Sequence, residues 1–244
     1  MITRQAQEYA AHELKRRLAP RHGLAIGWVL LWAPLLWMLS ALLGASALLF
    51  NWPFRGQAWN GFGFGFALGA VLFLCFPCRP LYVLGHELTH WLAAKITFHK
   101  TGKLRVGLRQ GSIDIPKPTL FIVLAPYIIP FYLLVSLPVI AILAACWSTR
   151  PAAFSAAAGV WLGLCGSYHI VLTILALTSG QRDLDFRGPV LSYSFIVFGN
   201  LLVLFLALVL LSRQWRQAWE LPWHLLKFCF LFLHDKLAMA FRNA

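Results

Sequence analysis

The sequence predicts an all-α polytopic membrane protein with about five transmembrane helices and one small β-hairpin. Of the 244 residues, 60% are hydrophobic and 12% are charged, and the mean hydropathy is +0.71. A soluble domain carries about 25% charged residues, so this composition is typical of a membrane protein. Apolar runs of about 20 residues recur along the chain, and each is long enough to cross a bilayer. Because lipid offers the backbone no hydrogen-bond partners, such runs are expected to be helical.

The predicted elements follow one another in a single membrane domain, residues 1–244. A basic segment, residues 1–23, is expected to form a short interfacial helix ahead of a transmembrane core, residues 24–211. Five spans are predicted, at residues 24–50, 61–98, 119–146, 154–178 and 189–211. The tail, residues 212–244, is rich in Trp and Phe and carries scattered charges. This pattern favours an interfacial helix, with a sixth span as the alternative.

Prolines interrupt two of the predicted spans. Pro77 and Pro80 lie within residues 61–98, which we expect to form one crossing that is kinked at these residues. The third span carries three prolines that are expected to bend it: Pro126, Pro130 and Pro138.

Residues 102–116 show the alternation of apolar and polar side chains that is typical of β-strands. The apolar positions on either side of Gln110-Gly111 are Leu104, Val106, Leu108, Ile113 and Ile115. A glycine turn between two such runs predicts an amphipathic β-hairpin. The exposed edge of such a hairpin can pair with an extended peptide segment.

The net charge of +13 is distributed as expected for a membrane protein. Residues 1–23, 99–118 and 179–188 hold five, five and two Lys or Arg, whereas the loops on the other side hold Arg55 and Arg150. The positive-inside rule therefore places the N-terminus in the cytoplasm. Basic residues between apolar runs meet anionic lipid headgroups, so the expected partner is the lipid bilayer and not nucleic acid.

His86-Glu87-Leu88-Thr89-His90 forms a His-Glu-x-x-His motif within the second predicted span. Positions four apart lie on one face of a helix, so both imidazoles can reach one zinc ion. Glu87 lies beside them and can take a proton from a water molecule that the metal activates. Such groups are expensive in hydrocarbon and usually face a functional interior.

Catalytic zinc takes three protein ligands and keeps one position open. Asp183 and Asp185, in the loop after the fourth span, are two candidates for the third ligand, and His169 within that span is another. At 1.5 Å per residue, His169 lies about 15 Å from the end of its span, near the depth of the two motif histidines. Depth thus favours His169, whereas Asp183 requires its loop to dip inward, and the alternatives remain open on these grounds.

Three stretches of the sequence, the first of which contains the His-Glu-x-x-His motif, resemble a known protein family. They are Tyr82-Val-Leu-Gly-His-Glu-Leu-Thr-His90, Leu124-Ala-Pro-Tyr127 and Gly180-Gln-Arg-Asp-Leu184. Together with the hairpin and the spans that follow, they resemble the site-2 protease family of intramembrane zinc metalloproteases over roughly residues 79–200. Site-2 proteases usually present an aspartate in a segment ending Leu-Asp-Gly, whereas this chain has Leu184-Asp185-Phe186.

The resemblance implies zinc bound by His86, His90 and Asp183, with Asp183 preferred to Asp185. It also implies that Glu87 is the general base and that His169 has an auxiliary role near the substrate or the zinc ligands. A bacterial source, and hence a bacterial inner membrane, is implied as well.

The expected function is hydrolysis of peptide bonds in a transmembrane protein substrate, with zinc as the cofactor. Zinc lowers the pKa of water toward neutrality, and Glu87 accepts the water proton and passes it to the leaving amine. Two other classes of protein are compatible with the sequence. One is a non-proteolytic membrane scaffold or chaperone that retains a protease-like fold, and the other is a zinc hydrolase that acts on lipid or a small amide.

Overall fold

The computed structural model describes residues 22–49, 56–108, 110–146, 152–179, 181–212 and 215–242. The interfacial helix expected at residues 1–23 therefore falls almost wholly outside the described residues. The described helices are α1 (His22–Leu49), α2 (Gln57–Cys75), α3 (Arg79–Ile96), α4 (Leu120–Leu124), α5 (Phe131–Ala145), α6 (Ala152–Thr178), α7 (Pro189–Ser212) and α8 (Trp215–Arg242). Short 3₁₀ helices, Ala125–Tyr127 and Arg182–Asp185, precede α5 and α7.

Long apolar helices dominate the fold. Four of them, α1, α2, α6 and α7, are long and apolar enough to cross a membrane, and the bent pair of α4 and α5 adds a fifth candidate. The helical membrane class with about five spans is therefore confirmed at the level of helix length and composition. Helix α8 is not among these candidates in the part of the chain that the structure describes.

The predicted hairpin is present. Strands β1 (Leu104–Val106) and β2 (Gly111–Ile113) pair antiparallel, with Leu104 opposite Ile113 and Val106 opposite Gly111. Both strands contact α3, so the hairpin lies against the helix that carries the His-Glu-x-x-His motif.

The expectation of one kinked helix over residues 61–98 is wrong. The segment forms two helices, α2 and α3, separated by Phe76–Cys78. Helix α2 begins at Gln57, earlier than expected, and its 19 residues qualify as a span without α3. The break has a local cause, because Pro77 and Pro80 lack the N–H groups that would continue the ladder of helical hydrogen bonds.

The third predicted span is broken in the same way. Residues Leu120–Tyr127 and α5 meet at a bend of 70°, with Pro126 and Pro130 at the break. Pro138 does not break the helix, since α5 continues through this residue from Phe131 to Ala145.

Helices α2 and α6 pack together so closely that their backbones touch. A Cβ atom on Gly61 would collide with the Ala156 carbonyl, and one on Gly65 would collide with Val160. Residues farther along α2 contact residues farther along α6, so the two helices run parallel. Parallel spans must be joined by an odd number of crossings. With the bent pair α4–α5 counted as one span, this pair supplies the crossing between them, and α3 adds no net crossing of its own.

The remaining helices fit this arrangement. Leu133 of α5 lies near Gly166 of α6, and Trp161 of α6 bonds Ser136, so α5 and α6 are antiparallel. Val29 lies near Gly188, and Leu43 packs against Phe205 and Val209, so α1 and α7 are parallel. The C-terminal ends of α2 and α6 therefore lie on the same side of the protein as the hairpin and the Arg182–Asp185 turn.

Candidate metal centre

Two tyrosines hold the start of α3 against the neighbouring helices. Tyr168 of α6 donates a hydrogen bond to the carbonyl of Cys78 (2.9 Å), and Tyr132 of α5 donates one to that of Leu81 (2.6 Å). Gly85 makes the second contact possible, because a Cβ atom there would lie 2.8 Å from the Tyr132 ring. These two bonds hold the start of α3 against α5 and α6, and they add to the helical bond that the Tyr82 N–H already donates to the Cys78 carbonyl.

The two motif histidines meet on one face of α3. The Nε2 atoms of His86 and His90 are 3.1 Å apart. The Nδ1 atom of His90 lies 2.8 Å from the carbonyl oxygen of Ile122 in α4. A carbonyl only accepts hydrogen bonds, so this Nδ1 carries the proton and the Nε2 atom presents a lone pair to the site. A second hydrogen bond of this kind is usual for histidines that bind metals.

Asp183 completes the group from the Arg182–Asp185 turn. Its Oδ2 atom lies 3.4 Å from His86 Nε2 and 3.8 Å from His90 Nε2. The Tyr127 hydroxyl donates a hydrogen bond to the same oxygen at 3.0 Å. The turn is anchored by the buried side chain of Leu184, whose carbonyl accepts a hydrogen bond from Ser192 at 2.8 Å. The loop therefore does dip inward, as an Asp183 ligand requires.

The charge of Asp183 is stabilised by its neighbours. Burial by itself raises the pKa of this carboxyl, but the hydrogen bond with His86 and the nearby His90 outweigh it. With the further hydrogen bond from Tyr127, the pKa falls below its ordinary value. Asp183 is thus held as a carboxylate, the form that binds a cation.

The three ligand atoms fit a zinc ion. His86, His90 and Asp183 each offer one atom, and all three atoms lie within 4.8 Å of one another. Metal bonds of 2.0–2.1 Å in a tetrahedron place neighbouring ligand atoms about 3.3 Å apart. The separations of 3.1, 3.4 and 3.8 Å bracket this value. Two imidazoles and one carboxylate are a donor set of catalytic zinc, in which the fourth position is open.

Glu87 lies beside the three ligands in a cleft of about 1090 Å³. It is only 8% exposed, and β2 packs directly on it. A Cβ atom on Gly111 would lie 2.5 Å from Glu87 Cγ and 2.9 Å from its Oε1 atom. The cleft runs between α3, the hairpin and the C-terminal ends of α2 and α6. Its polar lining comes from Arg79, His86, Glu87, His90, Gln110, Ser112, Ser179, Gln181 and Asp183.

The other two candidate ligands lie elsewhere. His169 Nε2 is 3.3 Å from Asn200 Oδ1, and His169 is not part of the three-residue group. Asp185 is exposed and also lies outside that group. The depth argument for His169 assumed straight, uninterrupted helices, whereas α3 begins after a break and the Asp183 turn folds inward.

Sequence reasoning assigned no role to two tyrosines at this site. Tyr127 bonds Asp183, and its ring lies 5.4 Å from that of His86; the Tyr82 ring is 5.3 Å from His86 on its own helix. Both residues lie within the stretches that carry the resemblance, and a phenol hydroxyl in an apolar run was the available signal.

In comparisons with known proteins, no protein-family model, curated protein or solved structure matches this chain.

Proposed function

We propose that this chain is an intramembrane zinc metalloprotease that hydrolyses peptide bonds of transmembrane protein substrates, in the manner of the site-2 protease family. One observation carries the proposal: the ligand atoms of His86, His90 and Asp183 converge within 4.8 Å. Glu87, a carboxylate suited to proton transfer, lines the same cleft. The resemblance in sequence supports the same activity.

Each residue of the group has a role in this reaction. The Nε2 atoms of His86 and His90 and a carboxylate oxygen of Asp183 would hold the zinc ion. A bound zinc ion supplies Lewis acidity, which polarises a scissile carbonyl and lowers the pKa of water. Glu87 accepts a proton at its carboxylate from the attacking water and delivers it to the leaving nitrogen. Tyr127 keeps the Asp183 carboxylate oriented toward the two imidazoles.

The cleft supports an extended peptide as the substrate. Residues 110–113 of the hairpin form one wall, close to Glu87. A substrate segment must unwind before cleavage, because helical carbonyls are hydrogen-bonded and shielded. An unwound segment can add to the edge of β2 through main-chain hydrogen bonds. Prolines placed along β2 are expected to abolish cleavage and leave zinc binding unchanged, and retained cleavage would contradict this role of the hairpin.

A bacterial inner membrane with the N-terminus in the cytoplasm is the proposed location. The candidate spans support an integral membrane protein. The excess of Lys and Arg in residues 1–23, 99–118 and 179–188 supports the orientation.

Zinc content tests the metal site first. The purified wild type is expected to hold about one zinc ion per chain, as a catalytic site with three protein ligands does. Asp183→Ala is expected to lose the metal, whereas His169→Ala retains it when zinc is in excess. Loss of zinc in His169→Ala alone would move the third ligand to α6. A wild type without zinc after reconstitution would favour the scaffold.

Cleavage tests the chemistry. Wild type and Glu87→Gln are reconstituted with a set of transmembrane peptides, and new peptide termini are identified by mass spectrometry. We expect cleavage by the wild type only, with equal zinc in both proteins. Release of fatty acids or small amides instead, under the same dependence on Glu87, would identify the other class of hydrolase. Full activity of Glu87→Gln in cells would identify a scaffold or chaperone.

A further inference from the structure

A second, much smaller cavity lies against His86. Its volume of about 30 Å³ is enough for one or two water molecules. Polar side chains from three helices line it: Tyr82, His86 and Thr89 from α3, Tyr132 from α5, and Tyr168, His169 and Thr173 from α6. The rest of the lining is apolar, so an ordered water molecule in this cavity depends on these polar side chains for its hydrogen bonds.

Two of the lining residues have an unsatisfied polar atom. The Nδ1 atom of His86 and the hydroxyl of Tyr82 are buried, and neither has a hydrogen-bond partner among the described residues. Leaving a buried polar group unpaired costs about 1–3 kcal/mol. His86 contrasts here with His90, whose Nδ1 bonds the Ile122 carbonyl directly.

The hydrogen bonds of Asn200 fix the protonation of His169. Asn200 Nδ2 donates to the carbonyls of Tyr127 (2.8 Å) and Ile196 (2.9 Å), so its Oδ1 is the atom that faces His169. An amide oxygen only accepts, and His169 Nε2 must therefore carry the proton. In the neutral ring, Nδ1 of His169 is then an acceptor.

His86 has the complementary requirement. When its Nε2 binds a metal ion, the proton of the neutral ring lies on Nδ1, which becomes a donor. The residues that line the cavity thus include one with a donor, His86, one with an acceptor, His169, and one with a hydroxyl, Tyr82. One water molecule can accept from His86, donate to His169 and use its second proton for Tyr82.

We infer that this cavity is a water site through which His169 and Asn200, as positioning residues, orient His86 for the metal. The inference rests on the proposed metal centre and gives His169 a role other than that of ligand. Asn200 supports the site twice, since it also holds the carbonyl of Tyr127, whose hydroxyl bonds Asp183.

Two substitutions of one residue separate this role from simple packing. His169→Asn keeps an acceptor, Oδ1, at the same number of bonds from Cα as Nδ1, whereas His169→Gln carries its amide one bond farther out, at the position of Nε2, and leaves no acceptor at that of Nδ1. Loss of a partner of a metal-binding histidine weakens metal affinity by about 10- to 100-fold. We expect this loss in His169→Gln and near-wild-type affinity in His169→Asn, measured by competition with a zinc chelator. Ile170→Ala, the next and exposed residue of α6, serves as the control.

The cobalt-substituted protein gives a readout that packing alone would not change. Its NMR spectrum shows shifted, exchangeable Nδ1–H signals of the metal-bound imidazoles. His169→Gln is expected to speed solvent exchange of the His86 proton, while the His90 proton, bonded to Ile122, stays unchanged as an internal control. Equal zinc affinity and equal exchange in His169→Gln and the wild type would overturn the inference but leave the proposed function intact. A wild type that binds no zinc would overturn both.

Discussion

Tyr127 is the residue that connects the Asp183 turn to the metal centre. Its hydroxyl is the group that bonds Asp183 Oδ2, and its side chain is fully buried. A hydrogen bond to a charged group is worth about 1.5–3 kcal/mol. We therefore expect Tyr127→Phe to bind zinc about 10- to 100-fold more weakly, measured by chelator competition, because the carboxylate loses its orientation.

Tyr193→Phe is the matched control for this prediction. The Tyr193 hydroxyl donates a hydrogen bond to the carbonyl of Leu177 and contacts none of the three residues of the metal group through a hydrogen bond in the structure described. Loss of the Tyr193 hydroxyl is expected to leave zinc affinity unchanged. Equal affinity of Tyr127→Phe and the wild type would show that Asp183 is held by its turn alone.

Gly111 sets the distance between the hairpin and Glu87. A Cβ atom there would meet Glu87 Cγ at 2.5 Å and its Oε1 atom at 2.9 Å, so either the carboxylate or β2 must shift. Misplacement of a catalytic group by about 1 Å lowers a rate by about 100-fold. Gly111→Ala is expected to lose cleavage to this degree and to keep one zinc ion per chain, whereas Arg105→Ala on β1 keeps both. A fully active Gly111→Ala protein would contradict the placement of Glu87.

At the scale of single residues, sequence predicted the parts of the site that depend on local spacing. His86 and His90 face one metal because the spacing of four is a property of any helix. The third ligand depends on tertiary structure, since the position of Asp183 follows from the fold of its turn and from Leu184. The contacts of Tyr127 with Asp183 and of Ile122 with His90 depend on tertiary structure for the same reason.

Among the elements, the pair α2 and α6 carries the closest packing. Gly65 faces Val160, whose Cα atom would lie 2.7 Å from an added Cβ, and backbone cannot move aside as a side chain can. Forcing an extra methyl group into such an interface destabilises a protein by about 1–3 kcal/mol. Gly65→Ala is expected to lower the thermal unfolding temperature in detergent.

Gly63 of the same helix is the control for this prediction. Nothing lies within 4 Å of a Cβ atom at this position. Alanine is favoured over glycine inside a helix by about 1 kcal/mol, so Gly63→Ala is expected to match or exceed the stability of the wild type. Equal unfolding temperatures of Gly65→Ala and Gly63→Ala would mean that α2 and α6 can move apart at no cost in stability.

The elements were predictable where hydrophobicity and proline act locally. Apolar runs located the spans, and period-two alternation located the hairpin. A proline can kink a helix, end it or be accommodated within it. Which of these occurs depends on the packing around the proline, and the sequence alone does not show that packing. At Pro77 the helix ends and α3 begins anew, with Tyr132 and Tyr168 bonded to its first residues, whereas α5 continues through Pro138.

For the whole molecule, two independent arguments give the same sidedness. Helix contacts make α2 parallel to α6 and α1 parallel to α7, and with the bent pair α4–α5 counted as one span, α3 adds no net crossing. The hairpin and the turn before α7 then share one side. The distribution of Lys and Arg, which uses no coordinates, groups residues 99–118 with residues 179–188 and with the N-terminus. Sequence alone assigned this crossing to one kinked helix, whereas in the structure α2 by itself is long and apolar enough to supply it.

Thiol labelling tests this arrangement directly. Single cysteines are placed at Arg105, Arg187, Gln57 and Ala152, all exposed, in a variant without the native cysteines. A reagent that cannot cross membranes is then applied to bacterial spheroplasts and to inverted vesicles. We expect Gln57→Cys and Ala152→Cys to react in spheroplasts, and Arg105→Cys and Arg187→Cys to react in inverted vesicles. Labelling of Arg105→Cys together with Gln57→Cys would mean that α3 is a span and that the hairpin lies on the outer side. That result would also place the hairpin that packs on Glu87 and the turn that carries Asp183 on opposite sides of the membrane.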